Sequence, residues 1–207
     1  MTVSAADIET AARDAALAVL AAAPYALAGA ARAAIAEADR QMAALATAPE
    51  VAEAVAGAAC RAGCGWCCHQ VVGITAAEED LVAEAVRALP GDARRRVRTR
   101  QNAAEARLRT LPVERWQAAR VPCPLLDDGR CAIHPDRPLP CRAVLSADEA
   151  ACRAWHAGED GARIPLVAAQ RRAYSAAQAG LAQALAATGI PPGPVSLTEA
   201  LSLALPG

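Results

Sequence analysis

The chain has 207 residues, a formal net charge of −1 and 55% hydrophobic residues, yet only 2% aromatics and no Phe. That length fits one domain around one core, and the near-neutral charge gives no electrostatic footprint for nucleic acid or an anionic membrane. The longest uncharged apolar stretch, residues 15–31, is Ala-rich and broken by Pro24, and residues 1–10 carry Asp7 and Glu9 where a secretory leader needs basic residues, so a cytoplasmic protein with no membrane partner is expected.

Helical punctuation recurs along the whole chain, and no run shows the β-branched alternation of strands. Ser4 with Asp7 opens a helix that stops at Pro24, a second is predicted from about residue 27 to 47, and a third leads from Pro49 into Cys60. Thr75-Ala-Ala-Glu78 is a capping box for a helix ending near Pro90. Asp92 is expected to cap the Arg-rich helix after it, and Pro112 begins a short helix containing Trp116. Ser146-Ala-Asp-Glu149 and Ser196-Leu-Thr-Glu199 read as further capping boxes, with a long helix from about 165 to 188 between them. Two segments break the pattern, 60–72 and 121–145, and the second holds five prolines (Pro122, Pro124, Pro135, Pro138, Pro140), so it is a shaped loop. The expected fold is all-α with little or no β, a single domain over 1–207. Ala-rich helices (1–59) precede a cysteine core (60–153) and C-terminal helices (154–207), and the two loops converge on a metal site.

The pattern Cys60-x3-Cys64-x2-Cys67-Cys68 is followed by Cys123, Cys131, Cys141 and Cys152. Structural cysteines behave as small hydrophobes on helix faces; these gather in loops rich in Gly and Pro. In a reducing compartment such a set reads as metal ligands rather than as disulfides. Cys64-Gly-Trp-Cys67 has the two-residue gap that lets two thiolates reach one tetrahedral zinc, and eight thiolates could fill two such sites. No second C-x2-C turn follows, and three cysteines at x3 and x2 spacing suit an iron–sulfur cluster, so iron–sulfur leads over zinc, with mononuclear iron as a further option. The same x3, x2 spacing occurs in radical enzymes that use S-adenosylmethionine, but their β/α barrel has no counterpart in this helical pattern; copper storage would want cysteines on helix interiors. Arg61, Arg130, Arg142 and Arg153 adjoin cysteines and Arg137 lies close by. Guanidinium groups offset the negative charge of a metal held by thiolates.

With these residues in order, the chain resembles the YkgJ-type cysteine-cluster family of zinc- or iron-chelating domains. The elements carrying the likeness are CRAGCGWCC (60–68), then Cys123-Pro124-Leu125-Leu126, Gly129 and Cys131, Ile133-His134, Arg137-Pro138 and Cys141-Arg142. The cysteine region is also similar, more distantly, to that of flagellin lysine methylases, which implies that iron–sulfur-dependent transfer is within reach of such a scaffold. The expected role is holding an iron–sulfur cluster, zinc or iron in one or two thiolate centres, in metal handling, redox or modification chemistry. Alternatives are an iron–sulfur-dependent transferase, a structural zinc module for an unidentified protein partner, and a thiol redox sensor using the vicinal pair Cys67-Cys68. No catalytic residue is assigned.

Other groups are weighed beside the cysteines. His69 and His134 are candidate extra ligands, and His156, one turn after Cys152, is expected to be exposed. Trp66 is expected beside the metal as a shield against water or packed on the helix from Thr75, and Arg137 and Arg142 as its counter-charge. Asp127-Asp128-Gly129 reads as a turn rather than a cation site. The cluster Arg94, Arg95, Arg96, Arg98, Arg100 reads as a solvated helix surface, not a nucleic-acid interface.

Overall fold

A computed structural model describes residues 3–205; residues 1–2, at the start of the stretch read above for targeting, and 206–207 lie outside the described residues. Helix α1 (Ala5–Ala22) starts where the sequence places it, because the Ser4 hydroxyl accepts from the Asp7 N–H while the Asp7 carboxylate accepts from the Ser4 N–H. Helices α2 (Leu27–Leu45) and α3 (Pro49–Ala56) follow, α3 with proline in its first turn and Gly57 closing it before the cysteines begin. Thr75 and Glu78 form the predicted box at the start of α4 (Ala76–Ala88).

Helix α5 (Gly91–Arg109) begins one residue before Asp92, with Pro90 at the cap; Asp92 lies in the first turn and pairs with Arg96 instead of capping. Short helices α6 (Trp116–Ala119) and α7 (Leu139–Arg142) interrupt the proline-rich region. The cap of α8 (Glu149–Ala157) is Asp148, whose Oδ1 accepts from the Ala150 and Ala151 N–H groups at 2.7 and 3.1 Å. Ser146, expected there, has been drawn to the cysteines. Helices α9 (Ala168–Ala187) and α10 (Leu197–Ala204) complete the chain, with Ser196 capping the latter as predicted. Four two-residue strands pair antiparallel, β1 (Gly73–Ile74) with β4 (Val195–Ser196) and β2 (Leu126–Asp127) with β3 (Arg130–Cys131). Among the described residues the fold is all-α apart from these and an isolated bridge between Ser146 and Leu166.

Two apolar clusters organise the helices. In the first, α1, α2 and α9 pack through Ile8, Ala12, Ala31, Ala34, Ala173, Ala177 and Leu181, all with no exposed surface. Alanine offers little area to bury, and the structure compensates by close approach: a Cβ on Gly180 of α9 would collide with the Glu9 carbonyl of α1. The second cluster gathers Ile74, Val82, Val86, Val97, Leu125, Ile133 and Leu201. Helix α4 faces both, with Leu81 in the first and Val82 and Val86 in the second. Cys123, Cys131 and Cys141 rest on the second cluster, so the cysteine loops are anchored to it.

Candidate metal centre

Backbone contacts bring the two irregular segments together. The Ala59 N–H donates to Ser146 O at 2.9 Å, and the Cys123 N–H to Cys68 O at 2.7 Å. Cys67 and Cys68 occupy a 3-10 turn, Trp66–His69. Asp128 and Gly129, at φ 47 and 75, form the two-residue turn between β2 and β3, which requires left-handed backbone and suits Asp-Gly. Gly129 packs on Gly63 so closely that a Cβ would strike the Gly63 carbonyl, and one on Gly65 would come within 2.9 Å of Leu126 Cδ1. From α5, Arg100 and Arg96 reach Asp127 at 3.0 and 3.1 Å, and Arg100 Nε donates to Pro124 O at 2.7 Å. Part of the Arg cluster thus clamps the hairpin, and Asp127 is taken up by arginines, as the turn reading implies. Buried Glu78 accepts from the Leu139 N–H at 2.7 Å, fixing the start of α7 and with it Cys141.

Seven of the eight cysteines, Cys60, Cys64, Cys67, Cys68, Cys123, Cys131 and Cys141, line one cavity of about 690 Å³. Cys152 lies outside that lining, 4% exposed. All eight are free thiols. Burial pushes Cys123 up to about 12 and raises Cys60, Cys131, Cys141 and Cys152 as well. Cys67 moves the other way, because the Cys68 thiol hydrogen-bonds to it and Arg137 stands near, while Cys68 rises in consequence. Desolvated thiols of this kind stay protonated until a cation displaces the proton.

The other candidates separate. Arg137 lines the cavity, helps to lower the Cys67 thiol, partly opposes the rise that burial causes at Cys60, Cys131 and Cys141, and buries an Nε that has no hydrogen-bond partner. Arg142 also lines the cavity, but its guanidinium is spent on its own loop and on α2: Nε donates to Arg137 O at 2.9 Å, a second nitrogen to Pro135 O, and a third stands 3.8 Å from Asp39 of α2. It braces Arg137. His134 is exposed at the cavity edge. Trp66 and His69 point instead to α8: the Trp66 ring lies 5.1 Å from that of His156 and below Arg153, and His69 meets His156 edge-on at 4.3 Å. His156, expected exposed, is half-buried by this aromatic group, a contact between segments that no local pattern encodes. The Trp66 side chain therefore packs on α8, not on the helix from Thr75.

Three supports were not singled out as site residues. Ser146 holds two cysteines: its N–H donates to Cys60 Sγ at 3.2 Å and its Oγ stands 3.0 Å from Cys152 Sγ. The Asp127 clamp and the Glu78 contact to α7 are the others; Glu78 was visible as a capping residue, and nothing local marked its second partner.

Among the described residues, no three Cys, His, Asp or Glu side chains converge on one ion as they stand. The donor set nevertheless fits a thiophilic metal, and the unpaired Arg137 Nε among the thiols fits the anion that a metal held by thiolates would form.

Residues 59–159 match the family model CxxCxxCC, described as "Putative zinc- or iron-chelating domain". No curated protein and no solved structure matches the chain. The family's name spells two residues between its first two cysteines; this chain has three, Arg61, Ala62 and Gly63, and turns there with Gly63 at φ 91. Over residues 59–159 the chain is thus similar to the CxxCxxCC family, the cysteine domains that carry that description.

Proposed function

We propose that the thiolates of Cys60, Cys64, Cys67, Cys68, Cys123, Cys131, Cys141 and Cys152 hold metal between the two loops, as an iron–sulfur cluster in preference to zinc or mononuclear iron. The observation that supports this reading is Arg137, whose guanidinium lines the same cavity as seven of the thiols with its Nε buried and unpartnered. A bare cation among neutral thiols would be repelled there; a cation bound by four thiolates becomes an anion and is attracted. The chain's own part is to supply the thiolates, to hold the loops by the Asp127, Glu78 and Ser146 contacts, and to keep the sulfurs largely out of water. An iron–sulfur cluster, when bound, supplies one-electron chemistry. Eight free thiols suit a reducing, cytoplasmic setting, and among the described residues no helix is long and apolar enough to cross a membrane.

Anaerobic purification with iron, sulfide and zinc analysis tests the reading. A brown protein with iron and sulfide in comparable amounts is expected. Colourless protein with stoichiometric zinc would move the assignment to a structural zinc module, and protein with no metal after anaerobic reconstitution would end it. The size of the cavity, about 690 Å³, favours a second reading, since it falls in the range of small-molecule sites and exceeds the needs of one ion. This is the iron–sulfur-dependent transferase similar to flagellin lysine methylase. Failure of the cluster-loaded, reduced protein to modify any lysine-bearing peptide offered with a methyl donor would remove it.

A further inference from the structure

The cysteine cavity has a neighbour. A second cavity, of about 420 Å³, opens where the end of α8, the loop 158–167 and the start of α9 meet. We infer that it is a binding site for a small ligand carrying an oxyanion, a phosphate or a carboxylate, held by Arg163 and Arg171 with its body beside the Trp155 ring. The inference goes beyond the metal reading and does not rest on it.

Charge is the first ground. Arg163 and Arg171 both line this cavity, and no Asp or Glu does. Several arginines around the loops are taken up by carboxylates, Arg61 and Arg153 by Glu149, Arg96 and Arg100 by Asp127. Neither Arg163 nor Arg171 has an ion pair among the described residues. Glu159 and Asp160 belong to the same loop but stand outside the lining. Two guanidinium groups without counter-charge at one cavity repel each other, and an oxyanion relieves this by accepting charge-assisted hydrogen bonds from their planar forks. A cationic ligand would be repelled by the same groups.

The Trp155 ring, also in the lining, offers a flat apolar surface to the rest of the ligand. Arg120 lies over this ring, its guanidinium carbon 5.2 Å from the centroid, and its Nε donates to the Trp155 carbonyl at 2.8 Å. Arg120 takes up left-handed backbone at φ 48, which a residue other than glycine adopts at a cost. A third positive charge is thus held beside the ring against backbone strain. The walls are already fixed. Gly158, at φ 82, ends α8, the Ala162 N–H donates to Glu159 O at 3.1 Å, and two hydrogen bonds stitch the loop to the chain on either side of Ser146: Ala147 N–H to Pro165 O at 3.1 Å and Val167 N–H to Leu145 O at 2.8 Å. A preformed site of small-molecule size loses little to ordering when it is filled. Gln70 lines both cavities and its Nε2 donates to Cys67 O at 3.3 Å, so the ligand lies one side chain from the thiols.

The test is a calorimetric and fluorescence titration of the full-length protein, metal-loaded and metal-free, with inorganic phosphate, phenyl phosphate, benzoate and, as the oppositely charged control, benzylamine. Saturable binding of at least one anion is expected, weakened about 10-fold in Arg163→Met and in Arg171→Met, with no binding of benzylamine. Phenyl phosphate ahead of benzoate assigns the phosphate and the reverse order the carboxylate; either supports the site. Trp155→Phe should lose the fluorescence response while calorimetric binding of the anion remains. Three results would overturn the inference: no saturable binding of any of the three anions, equal binding of benzylamine, or an anion held as well by the Arg163→Met/Arg171→Met double variant with helical circular dichroism unchanged. Because the metal-free protein is titrated beside the loaded one, failure of the metal reading leaves each of these outcomes as it stands.

Discussion

Arg137 reaches the cavity with a buried, unpartnered Nε, a donor that costs free energy as long as it stays unpaired. If its role is to balance metal-bound thiolates, Arg137→Met should weaken metal retention about 10-fold or more, with Arg137→Lys intermediate, measured by competition with a chromophoric chelator. Equal retention in all three proteins would separate Arg137 from the metal. Glu78 carries a different dependence. Its carboxylate accepts from the Thr75 N–H and hydroxyl, from the Leu139 N–H and from Gln178, yet burial holds its pKa above the ordinary value of 4.5. A folded state that keeps its proton to higher pH than the unfolded chain gains most at acidic pH and loses that gain as pH rises through the folded pKa. The stability of the wild type relative to Glu78→Gln should therefore fall with rising pH above about 4.5. In acid the variant should be the weaker by about 1–3 kcal/mol, because an amide nitrogen cannot accept these donors. Urea unfolding of both proteins across this pH interval checks the sign, and a gap that widens with pH would contradict it.

At the scale of elements, two glycines separate the stability of the helical body from the geometry of the loops. Gly180 lets α9 lie against the Glu9 carbonyl of α1, and Gly129, at φ 75, lets the hairpin lie on Gly63. Gly180→Ala forces the helices apart and should cost about 1–3 kcal/mol while leaving metal content unchanged. Gly129→Ala should lower metal content as well, because it pushes the hairpin bearing Cys131 off the first loop; denaturation and metal analysis of the two variants side by side make the comparison. Much of this scale was legible in the sequence. The boxes at Ser4, Thr75 and Ser196 and the stops at Pro24 and Pro90 mark the helices because caps act within four residues. The box at Ser146 misled because Asp148, two residues on, offers a carboxylate to the Ala150 and Ala151 N–H groups and starts the helix there, while Ser146 has partners at Cys60 and Cys152. Two-residue strands leave no alternation to read, and the burial of His156 depends on Trp66 arriving from another segment.

For the whole molecule, the cysteines were identifiable from spacing, but their grouping was not, since it depends on how α4 and α5 hold two loops far apart in the chain. The same arrangement makes the two halves unequal in their need for metal. The cluster of α1, α2 and α9 contains no cysteine and closes by backbone approach, so it can persist without metal. The second cluster has Cys123, Cys131 and Cys141 packed on it, beneath loops with little regular structure of their own. Without metal, these loops are tied by few direct links, among them the Cys123 to Cys68 hydrogen bond, the Asp127 clamp and the Ser146 contacts. Removing metal should therefore lower the melting temperature and expose the chain first after Arg61 and Arg130, both already at the surface. Most of the helical circular dichroism should remain. Limited trypsin digestion of metal-loaded and chelator-treated protein, with the fragments identified by mass, reads this directly. Early cuts within α1 or α9, or identical melting and fragments in both forms, would mean that metal does not join the loops to the body.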